Sequence, residues 1–317
     1  MLPATQVGLA AEELIDVPPQ AVAFWEEPQR LVRLPDGRRL NLYCTGKGSP
    51  TVILEAGFAA TTYSWAPVQA RLARTNRVCS YDRAGLGFSD PGPLPRDGRA
   101  VVADLRALLR AARVAPPYIL VGHSAGAMTM RLFADPRYAN VAGLVLIDPS
   151  VEGQFDGQEA AVAARVAADE RCADLVAKRQ LPSPDPRDAR CTRTPPASVS
   201  PRFARVLIAT DRRATHWQTL ASEYAAIAGA NTSALRATRA SHGDLPLIVL
   251  TAGQTAAASP AWKAAHRELA ARSTRGVQRT VAEASHNLMK GAPDAVVAAV
   301  GEVKRSAAGV EPPPHPR

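Results

Sequence analysis

Short apolar runs rich in β-branched residues punctuate this chain. They fall at Thr51–Glu55, Arg77–Tyr81, Tyr118–Val121, Ala142–Ile147 and Leu247–Leu250, with a more polar run at Gly276–Ala282. Each has the length of a strand rather than of a helix. The segments between them carry helical spacing. Trp65–Ala73 and Met128–Ala134 read as helices, and Val101, Leu105, Leu108 and Leu109 share one face of a helix. Pro260 opens a helix running to Ala271, and an amphipathic helix covers Asp294–Val303. Near the start, Leu31–Leu34 and Leu40–Cys44 flank Pro35-Asp36-Gly37-Arg38, a turn with hairpin chemistry. Strands alternating with helices predict an α/β fold with a doubly wound, mostly parallel sheet. From Val151 to Ala240 the rhythm breaks into an Ala-rich, Pro-punctuated helical stretch without strands. In open α/β sheets ligands bind at the C-terminal strand ends, so this stretch reads as a helical cap or lid over that edge. The expected organisation is an arm over 1–28, a core over 29–150 and 241–306, a cap over 151–240 and a disordered tail over 307–317.

Composition narrows the function classes. With 317 residues, 46% of them hydrophobic, the chain can bury a sizeable core and is not globally disordered. Its net charge of +9 comes from dispersed arginines, with no basic run interleaved with aromatics. That predicts weak, salt-dependent attraction to polyanions and no specific nucleic-acid partner. No run approaches the roughly 20 apolar residues of a membrane span, and the chain as given opens without a signal-peptide pattern.

The four cysteines fall into two kinds. Cys44 and Cys79 lie in or beside strands and read as buried small apolar residues. Cys172 and Cys191 lie in the polar middle segment and either close a local loop, worth about 3 kcal/mol, or remain two thiols. The bridge is the favoured reading, and it would imply an oxidising, secreted or periplasmic setting; without it the setting is cytoplasmic.

The candidate chemistry centres on Gly122-His123-Ser124-Ala125-Gly126, directly after an apolar strand and before a helix. Gly-x-Ser-x-Gly in that context is a nucleophile elbow: a tight strand-to-helix turn that exposes the serine hydroxyl. A Cβ at either glycine would meet the neighbouring backbone, and the helix N-terminus favours developing negative charge. The competing reading is a Gly/Ser-rich turn without chemistry. A serine needs a base, and the base needs an orienting acid. Of six histidines, His286 is best placed, in a loop between the last strand and the last helix. His123 should point away from Ser124, His216 and His242 lie in or near the cap, His266 reads as a helix-surface residue and His315 as part of the tail.

With these pieces the chain resembles the α/β-hydrolase fold superfamily, as a serine esterase-like member with a helical cap. The resemblance runs from about Leu31 to Val303. It rests on Leu54-Glu55-Ala56-Gly57-Phe58, Tyr81-Asp82-Arg83-Ala84-Gly85-Leu86-Gly87-Phe88-Ser89, the elbow, Leu144–Pro149 and the His286 loop. It implies oxyanion donors at the N–H groups of Phe58 and Ala125. Two departures stand out. Many relatives have His-Gly where this chain has Ala56-Gly57, which should alter packing near the hole without abolishing it. Most relatives carry the acid after the strand equivalent to Leu247–Thr251, where this chain has no carboxylate. Some carry it one strand earlier, at the place of Asp148. Asp148 is therefore the expected acid, against the reading that it only caps its turn; Glu152 and Glu283 are reserves.

The expected activity is hydrolysis of a carboxylic ester, lactone, thioester or amide through an acyl-enzyme, on a small-molecule substrate, without metal or cofactor. A serine nucleophile argues against the dehalogenase and epoxide hydrolase chemistries of this fold, which use Asp. Gly57, Trp65, Phe155, His216 and Trp217 are candidates to contact substrate, although for any one of them singly core packing is the more frequent role. Perhydrolase-type chemistry on the same triad and a non-catalytic binding protein of this fold are the alternatives. The sequence sets no oligomeric state.

Overall fold

The computed structural model describes residues 23–135, 140–195, 199–238 and 241–309. Eight strands form one sheet in the order β1-β2-β4-β3-β5-β6-β7-β8. These are β1 Leu31–Arg33, β2 Arg39–Thr45, β3 Thr51–Glu55, β4 Val78–Tyr81, β5 Tyr118–His123, β6 Val141–Ile147, β7 Leu247–Ala252 and β8 Gly276–Val281. β1–β2 and β2–β4 pair antiparallel, and every other pairing is parallel. Parallel strands covered on both faces should be apolar throughout. β3, β4, β5 and β7 are buried at every position, whereas β8 at the edge has no fully buried position.

Helices cover both faces. One face carries α1 (Ala66–Leu72), α10 (Leu288–Gly291) and α11 (Pro293–Ala307) over a core that includes Val52, Val121, Ile147 and Leu250. The other carries α2 (Gly98–Ala111), α3 (Ala125–Phe133) and α9 (Pro260–Ala270), with α8 (Gly253–Ala258) between β7 and α9. Asp97 caps α2 by accepting from Ala100 N at 2.9 Å, and Ser259 caps α9 through the N–H of Trp262.

The described part of 151–240 is helical and without a strand. It holds α4 (Glu159–Ala177), a 3₁₀ turn at Pro186–Cys191, α5 (Pro201–Asp211), α6 (Ala214–Ala228) and α7 (Ala230–Ala237). Its apolar residues Cys172, Trp217, Leu220, Tyr224 and Leu235 join the core on the α2–α3 face. Polar contacts fix it there. Asn231 accepts from Gly98 N at 2.6 Å and Ser222 from Arg96 N at 2.7 Å. Of the N-terminal arm, 23–28 is described, and Trp25 is buried against Tyr43 and Tyr63. Residues 1–22 and the Pro-rich end, 310–317, lie outside the described residues. No helix among the described residues is long and apolar enough to cross a membrane.

The cysteines require one correction. Cys172 and Cys191 are bridged as expected, but Cys44 and Cys79 are bridged as well. The cause is topology: β2 lies beside β4 rather than β3, and the register sets Cys44 directly opposite Cys79.

Candidate active site

Ser124 ends β5 and caps α3 with φ 50° and ψ −124°, a backbone conformation that non-glycine residues rarely adopt. The surrounding structure imposes it. Ser124 N donates to Ile147 O on the adjacent strand, and Ser124 O accepts from the N–H groups of Ala127 and Ser150, all at 3.0 Å. The two elbow glycines are steric requirements. A Cβ on Gly122 would lie 2.7 Å from Ala127 Cα, and one on Gly126 would lie 2.5 Å from Ala56 O. The hydroxyl therefore stands half-exposed at the C-terminal edge of the sheet, at the positive end of α3.

Asp148 follows Ile147, the register partner of His123, so it sits beside the elbow on the neighbouring strand. It is fully buried. Ala252 N donates to its Oδ1 at 3.0 Å, and Thr255 Oγ1 donates to its Oδ2 at 2.9 Å. His286 Nδ1 lies 2.6 Å from the same Oδ2. Burial pushes the Asp148 carboxyl up, but the hydrogen bond and charge of His286 and the Ala252 N–H outweigh it and hold the group below its ordinary value. With Nδ1 against the carboxylate, Nε2 is the ring nitrogen turned away from Asp148. The His286 side chain is 39% exposed. β7 and α8, where most relatives keep the acid, instead supply two donors to Asp148.

His123, from within the elbow, holds the His286 loop. Its Nε2 donates to His286 O at 2.9 Å, and the two rings lie 4.7 Å apart. Burial, then the neighbouring His286, lowers its pKa to about 3, so it stays neutral. Gly57 closes over the same place, since a Cβ there would be 2.9 Å from His123 Nδ1 and 3.3 Å from Ser124 Cβ. Neither Phe58 N–H nor Ala125 N–H donates to a carbonyl among the described residues. The reserves are placed elsewhere. Glu152 accepts both Arg131 Nη1 and Nη2 at 2.7 Å and a third bond from Arg272, and Glu283 is exposed on its loop.

The expected contact residues divide. Trp65 is a correction: it is fully buried with Val52, Leu54 and Val68 in the core on the α1–α11 face. The 3₁₀ turn that carries it, Thr62–Trp65, leads directly into α1, which covers that face. Trp217 is buried and donates from Nε1 to Asp211 O at 2.8 Å, a packing role within the helical stretch. His216 is buried beside Trp217, and burial lowers its pKa to about 4. Phe155 is half-buried against Tyr224, whose ring in turn meets Phe58 at 5.3 Å. Tyr224 escaped the sequence reading, as did Arg165, whose guanidinium lies over both Phe58 and Tyr224. His266 is a second correction. It is fully buried, accepting at Nδ1 from Thr251 Oγ1 and donating from Nε2 to Pro149 O. The face of α9 that bears it packs on the end of β7 rather than facing water.

A model of the alpha/beta hydrolase family matches residues 52–299, and the chain belongs to that family. The uncharacterized protein YqjL of Bacillus subtilis (strain 168) is 36% identical over 106 residues, 33% of this chain and 42% of its own length. An AB hydrolase superfamily protein of Gibberella zeae is 39% identical over 107 residues, 32% of this chain and 33% of its own length. The chain thus spans less than half the length of these curated relatives. A thermophilic esterase from Thermogutta terrifontis superposes with a TM-score of 0.62 at 20% identity, covering 88% of this chain and 98% of that one. At that identity the likeness speaks for the fold.

Proposed function

We propose that this hydrolase cleaves a carboxylic ester through an acyl-enzyme, with Ser124 as nucleophile, His286 as base and Asp148 as orienting acid. The observation that carries the reading is the 2.6 Å contact between His286 Nδ1 and a buried Asp148 on the strand next to the serine elbow. His286 Nε2 takes the hydroxyl proton as Ser124 Oγ attacks the carbonyl carbon. The N–H groups of Phe58 and Ala125 receive the oxyanion. His286 then returns the proton to the leaving alkoxide, and water releases the acid by the same steps in reverse. Residues 151–240 act as a cap, with Phe155 and Tyr224 meeting the acyl or alcohol group beside Phe58. Two disulfides fit an oxidising compartment, and counting thiols in the denatured, unreduced protein checks that: none is expected.

The test is hydrolysis of p-nitrophenyl esters of graded acyl length by wild type, Ser124→Ala and Asp148→Asn. Activity in wild type, its loss in the first variant and a large fall in the second support the reading. Near-full activity of Asp148→Asn would remove Asp148 from it. Inertness of the wild type on every ester would favour a binding protein.

A further inference from the structure

A complete guanidinium is buried beside the elbow with all its partners supplied by three separate elements. Arg83, in the loop after β4, is 5% exposed. Its Nη1 donates to Glu55 Oε1 at 2.9 Å and to Ala56 O at 2.7 Å. Its Nη2 donates to Gly57 O at 2.8 Å and to Glu223 Oε2 at 2.9 Å, and its Nε donates to Glu223 Oε1 at 2.8 Å. Glu55 ends β3 and also accepts from Tyr81 Oη. Glu223 comes from α6, in the helical stretch, 140 residues away in sequence. Burial works against the Arg83 charge, but Glu223 and Glu55 outweigh it and raise its pKa above the ordinary value. Replacing such a buried cluster by apolar residues of similar volume is often neutral or stabilising, so the cluster is weak evidence for a role in stability alone.

The carbonyl that Arg83 holds belongs to the Gly57–Phe58 peptide. That peptide is planar and trans, so its N–H points opposite to its C=O. Gly57 O is pinned from two sides, by Arg83 Nη2 and by Ala60 N at 3.2 Å. Fixing the carbonyl fixes the direction of the Phe58 N–H on the far side of the same plane. A cation on the carbonyl also draws charge through the amide and strengthens the N–H as a donor. We infer that Arg83 is a positioning residue for the oxyanion-binding peptide, aimed by Glu223 of α6, so that the docking of the helical stretch and the geometry of the oxyanion site are one structure. The inference rests on the serine-hydrolase reading above.

The experiment uses Arg83→Lys and Glu223→Gln in the full chain, with kcat and KM on the best p-nitrophenyl ester and inhibition by a matched trifluoromethyl ketone. On binding the ketone, Ser124 Oγ bonds to its carbonyl carbon and the serine proton passes to His286. The alkoxide formed takes the place of the oxyanion. Arg83→Lys keeps the charge but not the planar fork. Its kcat should fall about 10- to 100-fold with KM within about 2-fold, less than the loss of a whole oxyanion donor. Ketone affinity should fall by the same factor as kcat. Glu223→Gln should show the same pattern at about 3- to 10-fold, and it stands as the test if Arg83→Lys does not fold. A folded variant with wild-type kcat and ketone affinity overturns the inference, as does one that loses only thermal stability or only KM. Failure of the hydrolase reading would look different, because wild type itself would then be inert to both ester and ketone.

Discussion

The sheet core and the helical stretch over 151–240 are built by different physics. The core is held by apolar burial and backbone pairing: β3, β5 and β7 are buried at every residue, and glycines 122 and 126 are needed because backbone passes where a side chain would be. The helical stretch adds charge and covalent closure to its apolar contacts with the core. Asp169 is fully buried between Arg165 and Arg190, Asp188 pairs with Arg171, Asp211 with Arg193, and Cys172–Cys191 closes the α4 end. Its residue pattern is correspondingly weak, since pairs such as Asp169–Arg190 and Asp211–Arg193 join a helix to a turn or loop and leave no period in the sequence. The sheet core carries the proposed chemistry and also buries ion pairs, Arg83–Glu55 and Arg131–Glu152, and the helical layer above it carries the proposed choice of substrate.

The largest effects should fall in the core. Ser124→Ala should lower ester turnover by about five to six orders of magnitude, and Asp148→Asn by about two to four, because the amide favours the wrong His286 tautomer. Steady-state rates on p-nitrophenyl esters measure both. Thr255→Val removes the hydroxyl that donates to Asp148 Oδ2, and about a 3- to 10-fold fall in kcat should follow from a loosened acid. If Thr255→Val matched Asp148→Asn in effect, the acid's role would be structural.

The helical stretch should respond through stability. Cys172→Ser should cost about 2–4 kcal/mol against denaturant, with turnover per folded molecule kept within a few-fold. A collapse of turnover with unchanged stability would mean that the bridge shapes the site itself.

Acid should probe both layers. Burial lowers His123 from 6.5 to about 3 and His216 from 6.5 to about 4. Their folded values lie below their unfolded ones, so as pH falls the unfolded chain is protonated first. The stability from each neutral ring is full above pH 6.5 and drains away as pH drops toward those values, at up to about 1.4 kcal/mol per pH unit. Denaturant midpoints between pH 7 and 4 should therefore fall less steeply in His123→Asn and His216→Asn than in wild type. Parallel curves would contradict the neutral, buried assignment.

What could be read from the sequence follows the same division. The strands, the elbow and the helices around it were legible because burial on both sheet faces and close backbone contacts leave local marks. The placing of Asp148 beside His286 was legible by chain order and by the absence of a carboxylate after β7. Arg83 and Glu223 were not, because their pairing spans 140 residues and depends on how α6 docks. Cys44–Cys79 was hidden by the crossover that puts β2 beside β4. Trp65, expected to contact substrate, and His266, expected on a helix surface, are both in the core, because an aromatic or a histidine looks the same in sequence whether it faces the cleft, water or the core.

The most direct test of the central claim is intact-mass analysis after treatment with diethyl p-nitrophenyl phosphate. Attack by Ser124 Oγ forms the O–P bond, expels p-nitrophenolate and passes the serine proton to His286. The account predicts a single diethylphosphoryl adduct on wild type, mapped to Ser124, and none on Ser124→Ala or His286→Ala at the same exposure. An unmodified wild type, or an adduct that persists in Ser124→Ala, would contradict it.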